Sequence, residues 1–377
     1  MARGDKVMNA EVVYLYAYDI ANEADLPGIE ALMKGSAERY RFGRLKDAPR
    51  FFPVYHPISI QMEAASVAGP AGPLSLFASV KLFSVGAMSV KFRVPVVCDQ
   101  LSELLAYRDL RLADGTTLDQ RAAGIARQVF DSVRPKLDTA VAELPQPEGY
   151  TVFCVSSPLD SDPGGGGESE AWLQRNRREV AALLVGESDS ARLSEQEVED
   201  TTKYWYSYYR RDLAVIDWDA ALLADAPADY GDTLYVLEMA NLQLAELRIY
   251  DQKLDSVLDK AYDDVEIAVR PHAVRARQRV LTQLREIKMD VTKVADEISN
   301  ITKFFGDWHL ARIYMGCAAR FHLSDWASMV SQKLRTLDTL YTMLQQDSTN
   351  RLMMWLEIAI VALFVIDLII IVALGIK

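Results

Sequence analysis

The sequence predicts an α+β head domain, followed by a long helical coiled-coil hairpin or stalk and one C-terminal transmembrane helix. Three observations predict this. Strand-like alternation mixed with helical segments fills residues 1–230, apolar residues recur at heptad spacing through 231–350, and an apolar run fills 351–377.

The head opens with EVVYLYAY at residues 11–18, rich in the β-branched and aromatic residues that suit a pleated strand. Further strands are expected at 53–63 and over 74–97, the latter broken near Gly86, with Met88, Val90, Phe92 and Val94 marking a half-buried face. Residues 100–107 and 120–141 read as helices and 150–155 as a strand. A helix over 170–184 follows, then an acidic loop (LSEQEVEDTT), with strands at 203–209 and 213–218 closing the domain. Hairpins between some strands and helices between others fit α+β rather than a doubly wound sheet.

From about Thr233 the pattern turns helical. Leu237, Leu244, Leu258 and Val265 lie on one seven-residue row, and Ala240, Leu247, Leu254, Ala261 and Ala268 on its companion, with Asp251 interrupting the first. Val280, Ile287, Val294 and Ile301 repeat every seven residues, each followed four later by Leu284, Val291, Ile298 and Phe305. Such a seam, kept over about four heptads, is a coiled-coil signature. Arg270-Pro271 interrupts it, because proline is tolerated in a first helical turn and not in an interior, so the hairpin turn is expected there. A third run, with Leu323, Val330, Leu337 and Leu344 beside Leu334, Leu340 and Tyr341, leads into the apolar segment. A chain that leaves, returns and leaves again puts the hairpin tip near the bilayer. Arg270, Arg275, Arg277 and Arg279 then become candidate contacts to lipid headgroups, each contributing about 1 kcal/mol against anionic lipid.

At about 1.5 Å per residue, 352–376 gives about 37 Å of helix, enough to cross a hydrocarbon layer about 30 Å thick. Glu357 lies near its start, within reach of the interface; Asp367 falls near its centre, where a carboxylate costs about 2.5–3.5 kcal/mol. The Leu, Ile, Val and Phe residues around them, at roughly −0.3 to −0.6 kcal/mol each, outweigh that cost. Glu357 and Asp367 are therefore candidate intramembrane polar contacts between copies of the chain, or Asp367 lines an ion or proton path. Only Lys377 follows, and the N-terminus lacks a secretory h-region, so a tail anchor with the head on the side of synthesis is expected. Arg351, Arg335 and Lys333 before the span agree with the positive-inside rule.

Composition narrows the classes. A net charge of −12 disfavours nucleic acid as a partner. Two local basic patches are visible, Lys34, Arg39, Arg41, Arg44, Lys46 and Arg50 near the N-terminus and a second around 270–279, and both read as solvated surface charge. Three separated cysteines (Cys98, Cys154, Cys317) have neither disulfide-framework nor metal-ligand spacing, and fit a reducing compartment. The glycine run 164–167 lacks the Gly-Lys-Ser/Thr ending of a phosphate loop, and its acidic neighbours would repel phosphate; it reads as a linker. Asp217, Asp219, Asp225 and Asp229 fit no calcium loop and read as solvated turn residues. His56, His272, His309 and His322 show no zinc-hydrolase spacing. The aromatic stretch Tyr204, Trp205, Tyr206, Tyr208 and Tyr209 reads as packing. No catalytic, cofactor-binding or metal-binding residue is assigned, and no cofactor is implied.

The C-terminal third resembles a known family. Arg351 to Asp367 reads R-L-M-M-W-L-E-I-A-I-V-A-L-F-V-I-D; Trp326, Lys333-Leu334, Leu337, Leu340-Tyr341 and Leu344 extend the match, as do Ala240-Asn241-Leu242-Gln243-Leu244 and Leu247. This is similar to the "required for meiotic nuclear division" family of C-terminally anchored membrane proteins. The resemblance implies a membrane-anchored, non-enzymatic, oligomeric protein, in a bacterial inner membrane with the head in the cytoplasm or, alternatively, in the mitochondrial inner membrane. The expected partners are the lipid bilayer, further copies of the chain and a cytoplasmic protein. The expected function is a membrane-tethered scaffold or adaptor; the rival expectations are an ion or proton path using Asp367, or a ligand-sensing or enzymatic head.

Overall fold

The computed structural model describes residues 8–33, 37–39, 57–69, 72–112, 115–156, 169–225, 230–267, 289 and 308–375. It divides into two compact units, Met1–Ile249 with Lys293–Trp326, and Tyr250–Thr292 with Ala327–Lys377. The first unit therefore takes in sequence beyond residue 230. The expected turn at Arg270-Pro271, the arginines Arg270, Arg275, Arg277 and Arg279, the heptads over 280–305 and the glycine run lie outside the described residues. So does the first basic cluster, apart from Arg39.

In chain order the strands are β1 (Met8–Asp19), β2 (Glu23–Ala24), β3 (Ala37–Arg39), β4 (Ile58–Gln61), β5 (Ala65–Gly69), β6 (Gly72–Leu82), β7 (Ala87–Cys98), β8 (Leu137–Asp138), β9 (Glu148–Ser156), β10 (Tyr204–Tyr206), β11 (Leu213–Ile216) and β12 (Ala220–Asp225). The helices are α1 (Leu26–Leu32), α2 (Leu118–Val133), α3 (Ser169–Val185), α4 (Glu195–Thr201), α5 (Gly231–Ile267), α6 (Trp308–Arg320) and α7 (Leu323–Leu374). β2 pairs with β8; the remaining strands form one large mixed sheet in the order β10-β11-β12-β9-β1-β7-β6-β4-β3, with β5 on β6. β1 is its spine, antiparallel to β7 from Met8↔Cys98 to Asp19↔Ala87 and to β9 from Ala10↔Val155. β12 runs parallel to β9. The break expected near Gly86 is the β6–β7 turn: Gly86 has φ +77°, and a Cβ there would lie 2.0 Å from the Ala21 carbonyl oxygen.

Both faces of β1 are buried, and the period of two divides them. Val12, Tyr14, Tyr16 and Tyr18 join a core completed by Ala126, Val129 and Phe130 of α2 and Trp172 and Leu183 of α3. Val13, Leu15 and Ala17 are buried on the opposite face. There the first turns of α5 are tied down through Lys81 and Ser89 to Glu238, and through the Glu148 carbonyl to the Asn241 side chain.

Some expected elements change. The helix expected to reach residue 141 ends at Val133, because Pro135 sits in the next turn, supplies no N–H and disfavours helix before it. The acidic stretch expected as a loop contains α4. The Ser194 hydroxyl caps it by accepting from the Glu197 N–H, and Glu195 and Glu197 complement the helix dipole in the first turn. The strand expected at 213–218 stops at Ile216 and a further strand, β12, follows it, the two forming a hairpin that turns at residues 217–219.

The heptad residues Leu237, Ala240, Leu244 and Leu247 lie in a part of α5 that is buried on every side, since all of residues 234–247 are buried. The positions between them (Tyr235, Val236, Met239, Leu242, Ala245) are apolar too, the pattern of a core helix rather than a single seam. In the second unit, α5 and α7 meet where Lys333 bridges Asp251 and Asp255, each at 2.6 Å. Leu254, Val330 and Leu337 are fully buried there. α7 is 52 residues long and continues through Met353–Ile371, whose mean hydropathy of 2.6 and length suffice to cross a membrane.

Candidate functional site

Glu357 and Asp367 stand on this last stretch of α7, in the exposed part of the helix. Among the described residues neither has a polar partner. At about 100° per residue their ten-residue spacing leaves them about 80° apart around the axis, on adjoining faces.

Within the head several charged groups are matched. Lys81 and Glu238, 2% and 1% exposed, pair at 2.5 Å, and Ser89 donates to the same carboxylate at 2.6 Å. Burial pulls the Lys81 ammonium down to about 8 although Glu238 supports its charge. Burial alone would raise Glu238, but Lys81 and Lys91 outweigh it and its carboxyl falls below the usual range. Burial pushes the thiols of Cys98, Cys154 and Cys317 up, which disfavours the thiolate and with it nucleophilic or ligand chemistry.

The aspartates at the β11–β12 turn are anchors. Asp217 is 4% exposed and accepts from Arg320 Nε at 2.8 Å and from its Nη2, while Arg320 Nη1 reaches Asp200 at 2.9 Å. Asp219 accepts two hydrogen bonds from Arg108, at 2.9 and 2.8 Å. The Tyr150 hydroxyl donates to the carbonyls of Asp217 and Ala220. The reading of Asp217 as a solvated residue is thus corrected: Arg320, about a hundred residues away, permits its burial. Among the described residues no cluster suited to a metal ion occurs.

At the opposite end of β11 and β12 lies a cleft of about 580 Å³. Its walls are the turn after β10, the facing ends of β11 and β12, the start of α5 and the first turns of α6. Asp212 shapes the turn: its carboxylate accepts from the backbone N–H of Tyr208 at 3.0 and 2.9 Å and of Tyr209 at 2.6 Å, and from the Ser207 hydroxyl at 3.2 Å. This drives the two tyrosine rings outward, 61% and 72% exposed, edge to face at 4.7 Å. The His309 ring lies 5.3 Å from that of Tyr208, and its Nε2 is 3.9 Å from Asp212. Tyr230 closes one side, its hydroxyl donating to Glu11 at 3.2 Å. The expectation that Tyr208 and Tyr209 pack in a strand is corrected: β10 stops at Tyr206, and both rings project at the mouth of the cleft.

Comparison with known proteins locates the relationship in this head. The sequence profile described as "Uncharacterized protein MJ0711, N-terminal domain" matches residues 9–230. The "Uncharacterized protein MJ0711" of Methanocaldococcus jannaschii is 23% identical over 222 residues, covering 59% of this chain and 65% of that protein. The chain thus spans just under two thirds of the length of the curated relative it matches. No solved structure matches. These findings overturn the resemblance to the "required for meiotic nuclear division" family. That resemblance rested on an apolar helix with two acids and a few heptad positions, a pattern membrane physics produces in unrelated chains, whereas the match found lies in the head. Because the profile spans more than half of the sequence, this chain belongs to the family of the MJ0711 N-terminal domain.

Proposed function

We propose that the protein is a membrane-tethered scaffold or adaptor, held in the bilayer by Met353–Ile371 and self-associating through that helix. The observation that carries the reading is the placement of this segment: apolar throughout except for two acids, and with none of it buried by the rest of the chain. A helix of this composition finds its favourable solvent in lipid. A central Asp367 that has no partner among the described residues is best satisfied by another copy, since interhelical polar contacts stabilise association in lipid by about 0.6–2 kcal/mol. The pairing of α5 with α7 at Lys333 supports a coiled-coil stalk, and Lys333, Arg335 and Arg351 before the span favour a cytoplasmic head.

The test is the oligomeric mass of the detergent-solubilised full-length protein beside Asp367→Leu. A discrete oligomer that the substitution loosens is the expected result; a monomer in both forms removes self-association from the reading. The same carboxylate favours a second reading, a proton or ion path through the assembled helices. Flux into liposomes that is unchanged by Asp367→Asn would dismiss it.

A further inference from the structure

The cleft between the β10–β11 turn and the start of α5 is not used by the scaffold reading, and its chemistry selects a ligand. We propose that it binds an organic cation, an alkylammonium group seated on Tyr208 and Tyr209 and held by the carboxylates of Asp212, Asp225 and Asp232. Its volume of about 580 Å³ suits a small molecule or one long side chain. No lysine or arginine lines the cleft. Asp232 has no partner among the described residues, and the Asp212 carboxylate organises the turn by accepting from the Tyr208 and Tyr209 N–H groups.

The aromatic groups point the same way. A hydrophobic ligand would call for enclosed apolar walls; here two tyrosine faces stand largely in solvent, fixed at 4.7 Å from one another by backbone hydrogen bonds to Asp212. Exposed, preordered tyrosine faces beside carboxylates attract a cation through both the ring quadrupole and the net charge, and repel an anion. The starts of α5 and α6 both face this cleft, and helix N-termini favour anions. Asp232 in the first turn of α5 opposes that field from within.

Two sources could supply the group, a free amine or a lysine side chain of a partner, and the experiment separates them. Full-length protein in detergent is titrated calorimetrically with choline, with a lysine-containing pentapeptide, with dimethylbutanol (the uncharged isostere of choline) and with inorganic phosphate. The expected result is saturable binding of a cation, at least about tenfold tighter than the isostere and weakened about tenfold by Tyr209→Ala and by Asp232→Asn. Tyr209 is exposed and Asp232 half-buried, and circular dichroism checks that both variants fold. Tighter binding of choline identifies a small amine; tighter binding of the peptide identifies a partner chain. The proposal is overturned if neither cation saturates, if dimethylbutanol binds as well as choline, if phosphate binds instead, or if both variants bind like the parent.

Discussion

Residues 234–247 of α5 and the segment Met353–Ile371 of α7 are both helices without a polar face, the one buried and the other exposed. The first is enclosed by the head, yet it carries Glu238, Asn241, Gln243 and Glu246, all buried. Three of them reach across to other elements: Glu238 to Lys81 and Ser89, Asn241 to the Glu148 carbonyl, Gln243 to the Tyr314 hydroxyl. The second is exposed along its whole length, and its two acids find no partner among the described residues. A protein core accepts charge when a partner of matching geometry is built into the sheet beneath it. A lipid-facing helix has no such sheet, so its polar residues must be few and must find another molecule.

The largest expected effect breaks the core side of this comparison. Glu238→Leu leaves the Lys81 ammonium buried and unpaired and should cost about 3–5 kcal/mol in denaturant unfolding of the detergent-solubilised protein. Lys81→Met combined with Glu238→Leu should return most of that loss, since an apolar pair of similar volume is often neutral. Recovery of less than half would mean that the pair does more than balance charge.

Next comes packing. Leu237→Ala, at a fully buried position, should lower head stability by about 2–5 kcal/mol, whereas Leu363→Ala in the exposed span should change head unfolding by less than about 0.5 kcal/mol. Equal effects would show that the span is packed into the head after all.

Titration gives a smaller effect with a definite sign. The Lys81 pKa falls from 10.5 to about 8 on folding, so between those values the unfolded chain binds more protons. Stability should therefore rise from pH 8 towards pH 10.5, by on the order of 1–3 kcal/mol, and the Lys81→Met variant should lose this slope. Unfolding midpoints measured across that window check it. Smallest of all, Lys333→Ala removes a partly exposed bridge to Asp251 and Asp255 and should cost below about 1 kcal/mol. Proteolysis or hydrogen exchange in the α5–α7 pair would register a larger role.

The contrast also explains what could be read from the chain. β1 and the β6–β7 hairpin were legible because alternation and a break at Gly86 are local signals. The apolar run was legible because its length and composition are read directly from consecutive residues. α5 was misassigned in part: Leu237, Ala240, Leu244 and Leu247 fit heptads, but the apolar residues between them were the mark of a helix buried all round. Pro135 and Ser194 were local signals passed over. The cleft was not legible. It is assembled from the turn after β10, the β12–α5 region and the start of α6, and no one-dimensional pattern joins Asp212 to His309. The burial of Asp217 was equally hidden, because Arg320 arrives from a distant helix.

The continuity of α7 carries a consequence of phase. A helix of 52 residues is about 78 Å of rod, with Lys333 fixed on one part and Asp367 on another. The 34 residues between them amount to about nine and a half turns, so the azimuth of Asp367 is set by where Lys333 docks. One residue added between them would swing the carboxylate through about 100°, while a heptad would return it to within about 20°. The facing of the Asp367 carboxylate is thus written in the count of residues that separate it from Lys333.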